Sequence, residues 1–578
     1  MNRHARATDD FRNSTARSAS RASAAADPVT TEVVRNALNS AANQMKNALV
    51  RTAFTPIIYE AHDFAVALYD EQIRMLSQAP TLPAFMGTMS FCVEAAVDAV
   101  GGAESLRPGD VIIYNQPYGT GSHAQDVAIV VPIFHQDTLI GHATNKAHWM
   151  DIGAASIYCT NTTDVYQEGV VIPGMKIYNA GKLDTNVQRF IAANSRMPRE
   201  ILGDMNAQIA AARVGANELN RLVERFGLDV LRACVERMFD HGEAIARRTI
   251  ERIPDGKYVA RAKLDDNGLD REPVYFDLEV QISGSNVRID YSNAPDANPG
   301  PINCPRPSTV SLSRLTVAYL AGCGEAPNEG HFRPLEVVTR PGSLFHPVSP
   351  QPCYLYGWLM MPAMEAIFEA LSEAAPDLVP AGGAADICAV MNWGTREKDG
   401  TRFMYSASLP AGHGASHRGD GATLYIPALA YSRLASAELM ESKYPMFFHR
   451  WEYLPNSAGV GKYRGGMGWH YHYEITAAGK MISTIEQTKS PAWAHQGGGR
   501  PVPNLLEIIY PDGRIEEMGK VTDYPLPKGT QIRIRAGGGG GFGRASEREP
   551  ARVHADLRQG LITESHAREH YPQAFAGA

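Results

Sequence analysis

The sequence lacks any apolar run near the roughly 18–20 residues that cross a bilayer as a helix. Its longest apolar stretches, such as 127–134, are strand-sized. It has no C-x-x-C pair, and its seven cysteines are odd in number and scattered. That excludes a four-cysteine zinc site and argues against a disulfide framework, so a reducing, cytoplasmic setting is expected. There is no G-x-x-x-x-G-K-S/T and no G-x-S-x-G, hence neither a P-loop nor a nucleophile elbow. A large excess of charge is also missing: 55 Lys and Arg against 62 Asp and Glu leave −7 over 578 residues. Gripping nucleic acid needs a concentrated basic surface, so no such partner is expected, and no membrane either. No repeat at a solenoid period recurs.

What is present is a long globular chain behind an unusual start. Residues 1–26 are rich in Arg, Ser and Ala, with almost no large apolar side chain. They lack the apolar core of a secretory signal, and Asp9 and Asp10 speak against a transit segment, so a disordered tail is expected. From Asp27-Pro28 onward, Val33, Val34, Ala37, Leu38, Ala41, Met45, Ala48 and Leu49 recur at three- and four-residue steps, which predicts an amphipathic helix ended by Thr55-Pro56. Residues 57–70 read as strand-like, and 88–100 as a helix stopped by Gly101-Gly102. The runs 127–134 and 139–146, four residues apart, predict a hairpin. Residues 186–253 turn helical, with stripes such as Leu219, Leu222, Val223 and Phe226. Strands return in 257–292 and 440–545, and 550–565 closes the chain as a helix. The expected class is α+β: one region over 27–575, with sub-regions 27–185, 186–253, 254–440 and 441–575.

Two matching H-x-x-D motifs flank the predicted hairpin: His123-Ala124-Gln125-Asp126 and His148-Trp149-Met150-Asp151. A turn centred near Gln136 would set His123 opposite His148, with Cβ atoms about 4.5–5.5 Å apart. Two imidazoles there could share one cation, with Asp126 completing a three-ligand face. Two His and a carboxylate suit Mn, Fe or Zn, whereas an all-oxygen set suits Mg or Ca. In a regular strand, residues three apart point to opposite faces, so His123 and Asp126 meet only if the backbone is irregular; Gly119 and Gly121 permit that. The alternative is an ordinary polar hairpin end. Glu60 and Asp63 form a possible carboxylate pair, or a solvated strand end. His413, His417, Arg418 and Asp420 sit in the Gly-rich stretch 412–421, which reads either as a lid or as a plain loop. His470 and His472 share a strand face, and 537–541 reads as backbone turning.

At the hairpin the sequence resembles the hydantoinase B/oxoprolinase family. The segment Asn115-Gln116-Pro117-Tyr118-Gly119-Thr120-Gly121-Ser122-His123-Ala124-Gln125-Asp126 resembles that family's N-D-P-Y-x-G-G-T-H-x-x-D, and Ala147-His148-Trp149-Met150-Asp151-Ile152-Gly153 its A-H-x-x-D-I-G. The likeness runs from about Asp27 to Tyr571. It includes Asp27-Pro28-Val29-Thr30, Asp63-Phe64, Gly300-Pro301-Ile302-Asn303-Cys304, Phe332-Arg333-Pro334 and 461–466. Gln116, Ser122 and Ala65 depart from it, and Ala430-Tyr431-Ser432 fits it poorly.

The resemblance implies a hetero-oligomer with a hydantoinase A-like subunit that holds ATP and Mg, which accounts for the missing P-loop. It implies a divalent transition metal (Mn, Zn or Fe) on His123, Asp126 and His148, because the carboxylase branch uses a His, an Asp three residues on and a second His about 25 beyond the first, and here 148 − 123 = 25. Asp151 would be a supporting partner or fourth ligand, with Glu60 and Asp63 nearby as catalytic candidates. The expected activity is hydrolysis of a phosphate-activated cyclic amide: a hydantoin, a lactam or a 5-oxoproline-like ring. The alternatives are a subunit of an ATP-dependent ketone carboxylase, disfavoured because a long C-terminal extension is missing, and a non-catalytic scaffold, disfavoured by the intact His/Asp/His set.

Overall fold

Asp27 starts the fold. Its carboxylate accepts from the Val29 and Thr30 amides, and Pro28 fills the first helical position of α1 (Pro28–Thr52). In the computed structural model the described residues are 26–156, 158–322, 326–407, 409–426, 428 and 435–576. The expected tail therefore lies outside them, except Ala26, which is buried. Val34, Leu38, Ala41, Met45 and Leu49 form the buried stripe of α1. After it, Pro56–Tyr59 is a helical turn rather than the strand expected from residue 57, because Pro56 pre-sets the first turn. The strand starts only at Phe64.

A seven-stranded antiparallel sheet carries the predicted hairpin. Its order is β2 (Met75–Gln78), β1 (Phe64–Asp70), β5 (Thr138–His148), β4 (Asp126–His135), β3 (Val111–Tyr114), β6 (Met175–Asn179) and β7 (Lys182–Leu183). Both faces of β1 are buried. Phe64, Val66 and Leu68 pack with α1 and the helices α3 (Pro198–Phe226) and α4 (Leu228–Ile250). Ala65, Ala67 and Tyr69 point into the central core, with α2 (Met89–Ala99), α5 (Arg306–Ala321) and α6 (Tyr356–Ser372). This two-sided burial explains the unbroken apolar run after Asp63.

A second sheet, β8 (Gly256–Leu264) to β11 (Leu335–Val338), packs on the other flank of α6. The last third holds two more sheets around a separate core: β13 (Arg402–Ala407), β12 (Val390–Thr395), β16 (Gly479–Thr484) and β19 (Lys520–Leu526) in one, and β14 (Met446–Leu454), β15 (Gly468–Ile475), β20 (Gln531–Ala536), β17 (Leu505–Ile509) and β18 (Ile515–Met518) in the other, each in that order. The expected closing helix is two helices, Pro550–Arg558 and Glu564–His570. The α+β class is as expected.

The run 537–541 is not turning backbone. It is extended and wedged among other chain segments, with the Gly539 amide donating to Gly466 O, Gly540 to Gly382 O and Gly541 to Gly499 O. A Cβ on Gly539 would lie 1.9 Å from the His413 carbonyl oxygen. The stretch 412–421 belongs to the same bundle, with Gly412 N donating to Gly537 O. Its His413 is buried and its Asp420 is tied to Arg548, so it is not a free lid. The six described cysteines are all free. Among the described residues no helix is long and apolar enough to cross a membrane.

Candidate metal centre

Three neighbouring strand ends meet at one edge of the large sheet. Asp126, the first residue of β4, pairs with His148, the last of β5, and Phe64 at the start of β1 pairs with Ala147. The cross-strand pair is therefore Asp126 with His148, not His123 with His148. The hairpin turns around Gln136, which is left-handed (φ 54°), and a bulge lies between Ile133 and Phe134, so the register differs from the symmetric reading. His123 precedes the strand. The Asp126 amide donates to the His123 carbonyl (3.1 Å), closing a turn that folds the His123 ring back over Asp126. This is the irregular backbone that the strand alternation required.

The ligand atoms form a near-equilateral triangle. His123 Nε2 lies 3.0 Å from His148 Nδ1 and 3.2 Å from Asp126 Oδ1, and His148 Nδ1 lies 3.1 Å from Asp126 Oδ1. All three residues are buried, and among the described residues this is the one group with metal-binding spacing. Each is aimed by a neighbour. His123 Nδ1–H donates to Tyr354 O (2.9 Å), which turns the Nε2 lone pair inward. The Tyr356 hydroxyl donates to Asp126 Oδ2 (3.2 Å), leaving Oδ1 for the centre. Glu168 accepts from the amides of Cys353 (2.8 Å) and Tyr354 (2.9 Å), and so fixes the segment that supplies that carbonyl.

The loop before His123 is equally fixed. Buried Lys146, on β5, donates to Thr120 O (3.0 Å), Ser122 Oγ (3.2 Å) and Thr88 Oγ1 (2.8 Å). Burial pulls its ammonium below the usual lysine range. Asn115 donates to Ala124 O and Val170 O. Ser122 thus still serves the loop in place of Thr, and Gln116 accepts from the Tyr114 hydroxyl. The segment Ala430-Tyr431-Ser432 lies outside the described residues.

Electrostatics favour a compact ionised cluster. Burial would raise Asp126, but the His123 and His148 rings outweigh it and hold the carboxyl well below the usual range. Burial pushes the His123 ring down, and Asp126 outweighs that and holds it up.

The remaining sequence candidates separate. Asp63 stays beside the cluster: its carbonyl accepts from the His148 amide (3.0 Å), and burial pushes its carboxyl up to about 6 against the pull of His148. Its Oδ1 has no hydrogen-bond partner. Glu60 does not pair with Asp63 in the structure but binds Lys443 (3.0 Å). Asp151 is neither ligand nor supporting partner here. Arg196 grips it through Nη2 (2.6 Å) and Nε (3.1 Å), and it also takes the Gly153 amide, so it ties the post-hairpin loop to the start of α3. His470 and His472 do share a face of β15, and His472 bonds Gln531 (2.9 Å). Sequence reasoning missed Tyr158, Glu168, Tyr354 and Tyr356. No local spacing links them to the motif, although the aromatic cluster Tyr354-Leu355-Tyr356-Gly357-Trp358 is visible.

A cavity of about 160 Å³ opens beside His123, the one residue of the triad that lines it. Asp63, His123, Tyr158 and Tyr356 line its inner end, and residues of β12, β14 and β15 wall the outer end.

A family model described as hydantoinase B/oxoprolinase matches residues 27–545. The caprolactamase subunit beta of Pseudomonas jessenii is 29% identical over 564 residues, covering 95% of this chain and 97% of that protein. The crystal structure of ATP-dependent caprolactamase from Pseudomonas jessenii superposes with a TM-score of 0.86 at 28% identity, over 94% of this chain and 96% of that one. A nucleotide-free acetone carboxylase structure gives a TM-score of 0.81 at 18% identity, over 94% and 79% respectively, which is a likeness of fold.

Proposed function

Because this chain belongs to the hydantoinase B/oxoprolinase family, we propose that it is the metal-binding subunit of an ATP-dependent cyclic amide hydrolase. It would act beside a hydantoinase A-type subunit that binds ATP and phosphorylates the ring carbonyl oxygen. The observation that carries this reading is the buried triangle of His123, Asp126 and His148, of which His123 lines a cavity beside Asp63. The name of the caprolactamase relative, a beta subunit of an ATP-dependent enzyme, supports a partner and an amide substrate.

The donor set fits a divalent transition metal. His123 Nε2, His148 Nδ1 and Asp126 Oδ1, about 3.1 Å apart, would hold it, and two imidazoles with one carboxylate are a donor set that suits such a cation. Such a cation would supply Lewis acidity. The chain's own groups do the rest. Tyr354 and Tyr356 orient the ligands, and the aromatic walls exclude bulk water. Asp63 Oδ1, unpartnered and facing the site, accepts a proton from the attacking water. Amide resonance makes the direct attack slow, and phosphorylation of the oxygen weakens that resonance. Water adds to the carbon, the ring C–N bond breaks as the nitrogen takes up a proton, and a second water splits the acyl phosphate left behind into carboxylate and phosphate. Overall, ATP, cyclic amide and two waters give ADP, phosphate and the ring-opened acid, an amino acid from a lactam and an N-carbamoyl amino acid from a hydantoin.

The test is co-purification with the A-type subunit and a substrate panel with ATP. Ring opening of a lactam or hydantoin with matching ADP release supports the reading. Stimulation only by a ketone with bicarbonate replaces it with carboxylation. Protein purified without a bound transition metal, and inert to both, replaces it with a scaffold.

A further inference from the structure

The cavity changes character along its length. Its inner end is polar, but the outer end is walled by Met391, Met404, Met440, Trp451 and Tyr471. Among the polar groups of the lining, the Tyr405 and Tyr471 hydroxyls bond each other and Glu60 binds Lys443, while Trp358 Nε1 is left as an unpartnered donor suited to an uncharged carbonyl. Among the described residues that line the cavity there is no Lys or Arg, whereas two carboxylates, Glu60 and Asp63, are present. A carboxylate on the substrate would be stripped of water there with no unpaired cation among the described lining residues to receive it, since Lys443 is already taken by Glu60. An apolar group would instead gain in proportion to its buried area, and unbranched methionines adapt to its shape. The 160 Å³ of space is on the scale of the roughly 150 Å³ that accepts a benzene ring.

We propose that the substrate is an uncharged cyclic amide whose non-reacting part is a bulky apolar group, aromatic or branched aliphatic, seated among Met391, Trp451 and Tyr471, and that acidic rings such as 5-oxoproline are rejected. This rests on the cyclic-amide reading of the same site. It makes Met391 and Trp451 specificity determinants, remote from the triad.

Calorimetry on the complex with its A-type subunit, without ATP, separates the two ideas. 5-Benzylhydantoin is expected to bind at least about 100-fold more tightly than 5-oxoproline. Met391→Lys, which puts a cation into the outer end, should shift that ratio about 10-fold or more toward 5-oxoproline. Trp451→Arg, closer to the rim, is the second variant, and melting curves establish that each is folded. Equal or tighter binding of 5-oxoproline, binding of neither compound, or an unchanged ratio in both folded variants overturns the proposal. Turnover with ATP is scored separately: if no cyclic amide is opened, the hydrolase reading fails, while the binding ratio still decides the character of the pocket.

Discussion

Asp126 and His148 face each other across a single rung of the hairpin, first residue of one strand against last of the next, with Oδ1 and Nδ1 3.1 Å apart. Neither side chain reaches the centre alone. Only the turn at 123–126 brings the third ligand onto the same side.

His148→Ala therefore removes one vertex of the triangle without disturbing β5, whose backbone pairing is unaffected. Purified wild-type protein should contain about one transition-metal ion per chain, and the variant should retain less than about a tenth of that at the same metal concentration. Elemental analysis checks it. Equal metal content in the two proteins would remove the assignment.

Glu168 touches no ligand, yet it holds the Cys353 and Tyr354 amides. Glu168→Ala should free the carbonyl that fixes the His123 ring and weaken metal binding about 10- to 100-fold, the usual cost of losing an outer partner. Competition with a chelating dye reads this directly. A stability loss with unchanged metal affinity would show that Glu168 serves the fold alone.

Burial holds the His142 ring down to about 4, from 6.5 in an unfolded chain. Between those values the unfolded chain takes up a proton that the folded one refuses, so this ring costs stability as the pH falls from about 6.5 to 4. Glu365, pushed by burial up to about 8, works in the opposite sense and costs stability as the pH rises toward 8. The informative quantity is thus a difference. Urea denaturation at pH 7.5 and 5.0 should show a smaller loss on acidification in His142→Phe than in the wild type, by up to roughly 2 kcal/mol.

Gly539→Ala places a methyl group against the His413 carbonyl, at 1.9 Å. Neither backbone can retreat, because both are hydrogen-bonded on several sides. A loss of about 3 kcal/mol or more is expected. Gly419, in the same region, has nothing within 4 Å of a Cβ. Its alanine variant should stay within about 1 kcal/mol of the wild type and can be slightly more stable. Denaturant midpoints separate the two.

Local chemistry was readable in the sequence. Asp27-Pro28 announces a capped helix start, and two apolar runs announce the hairpin. The candidate triplet was legible in its spacing and in the family resemblance. The rest depends on contacts no local pattern encodes. The register was misplaced because the tight turn at Gln136-Asp137 and the bulge between Ile133 and Phe134 shift pairing without changing composition. Helix α6 is buried over nearly its whole surface, Glu365 included, and carries Pro362 inside it, so its apolar period is weak. Tyr354, 231 residues beyond His123, aims that ring. Glu60 and Asp63, three residues apart, looked like a pair, but a helical turn and a strand start send their side chains to different partners.

The segment 353–356 also sets an order of events during synthesis. A ribosome that has released only the first 250 residues has made every ligand of the triangle, but not the carbonyl that steers one imidazole or the phenol that steers the carboxylate. Any ion that the triangle holds would be captured only after the middle of the polypeptide has emerged and docked, and a truncated product carrying the complete hairpin should be a poor competitor for scarce metal in the cell.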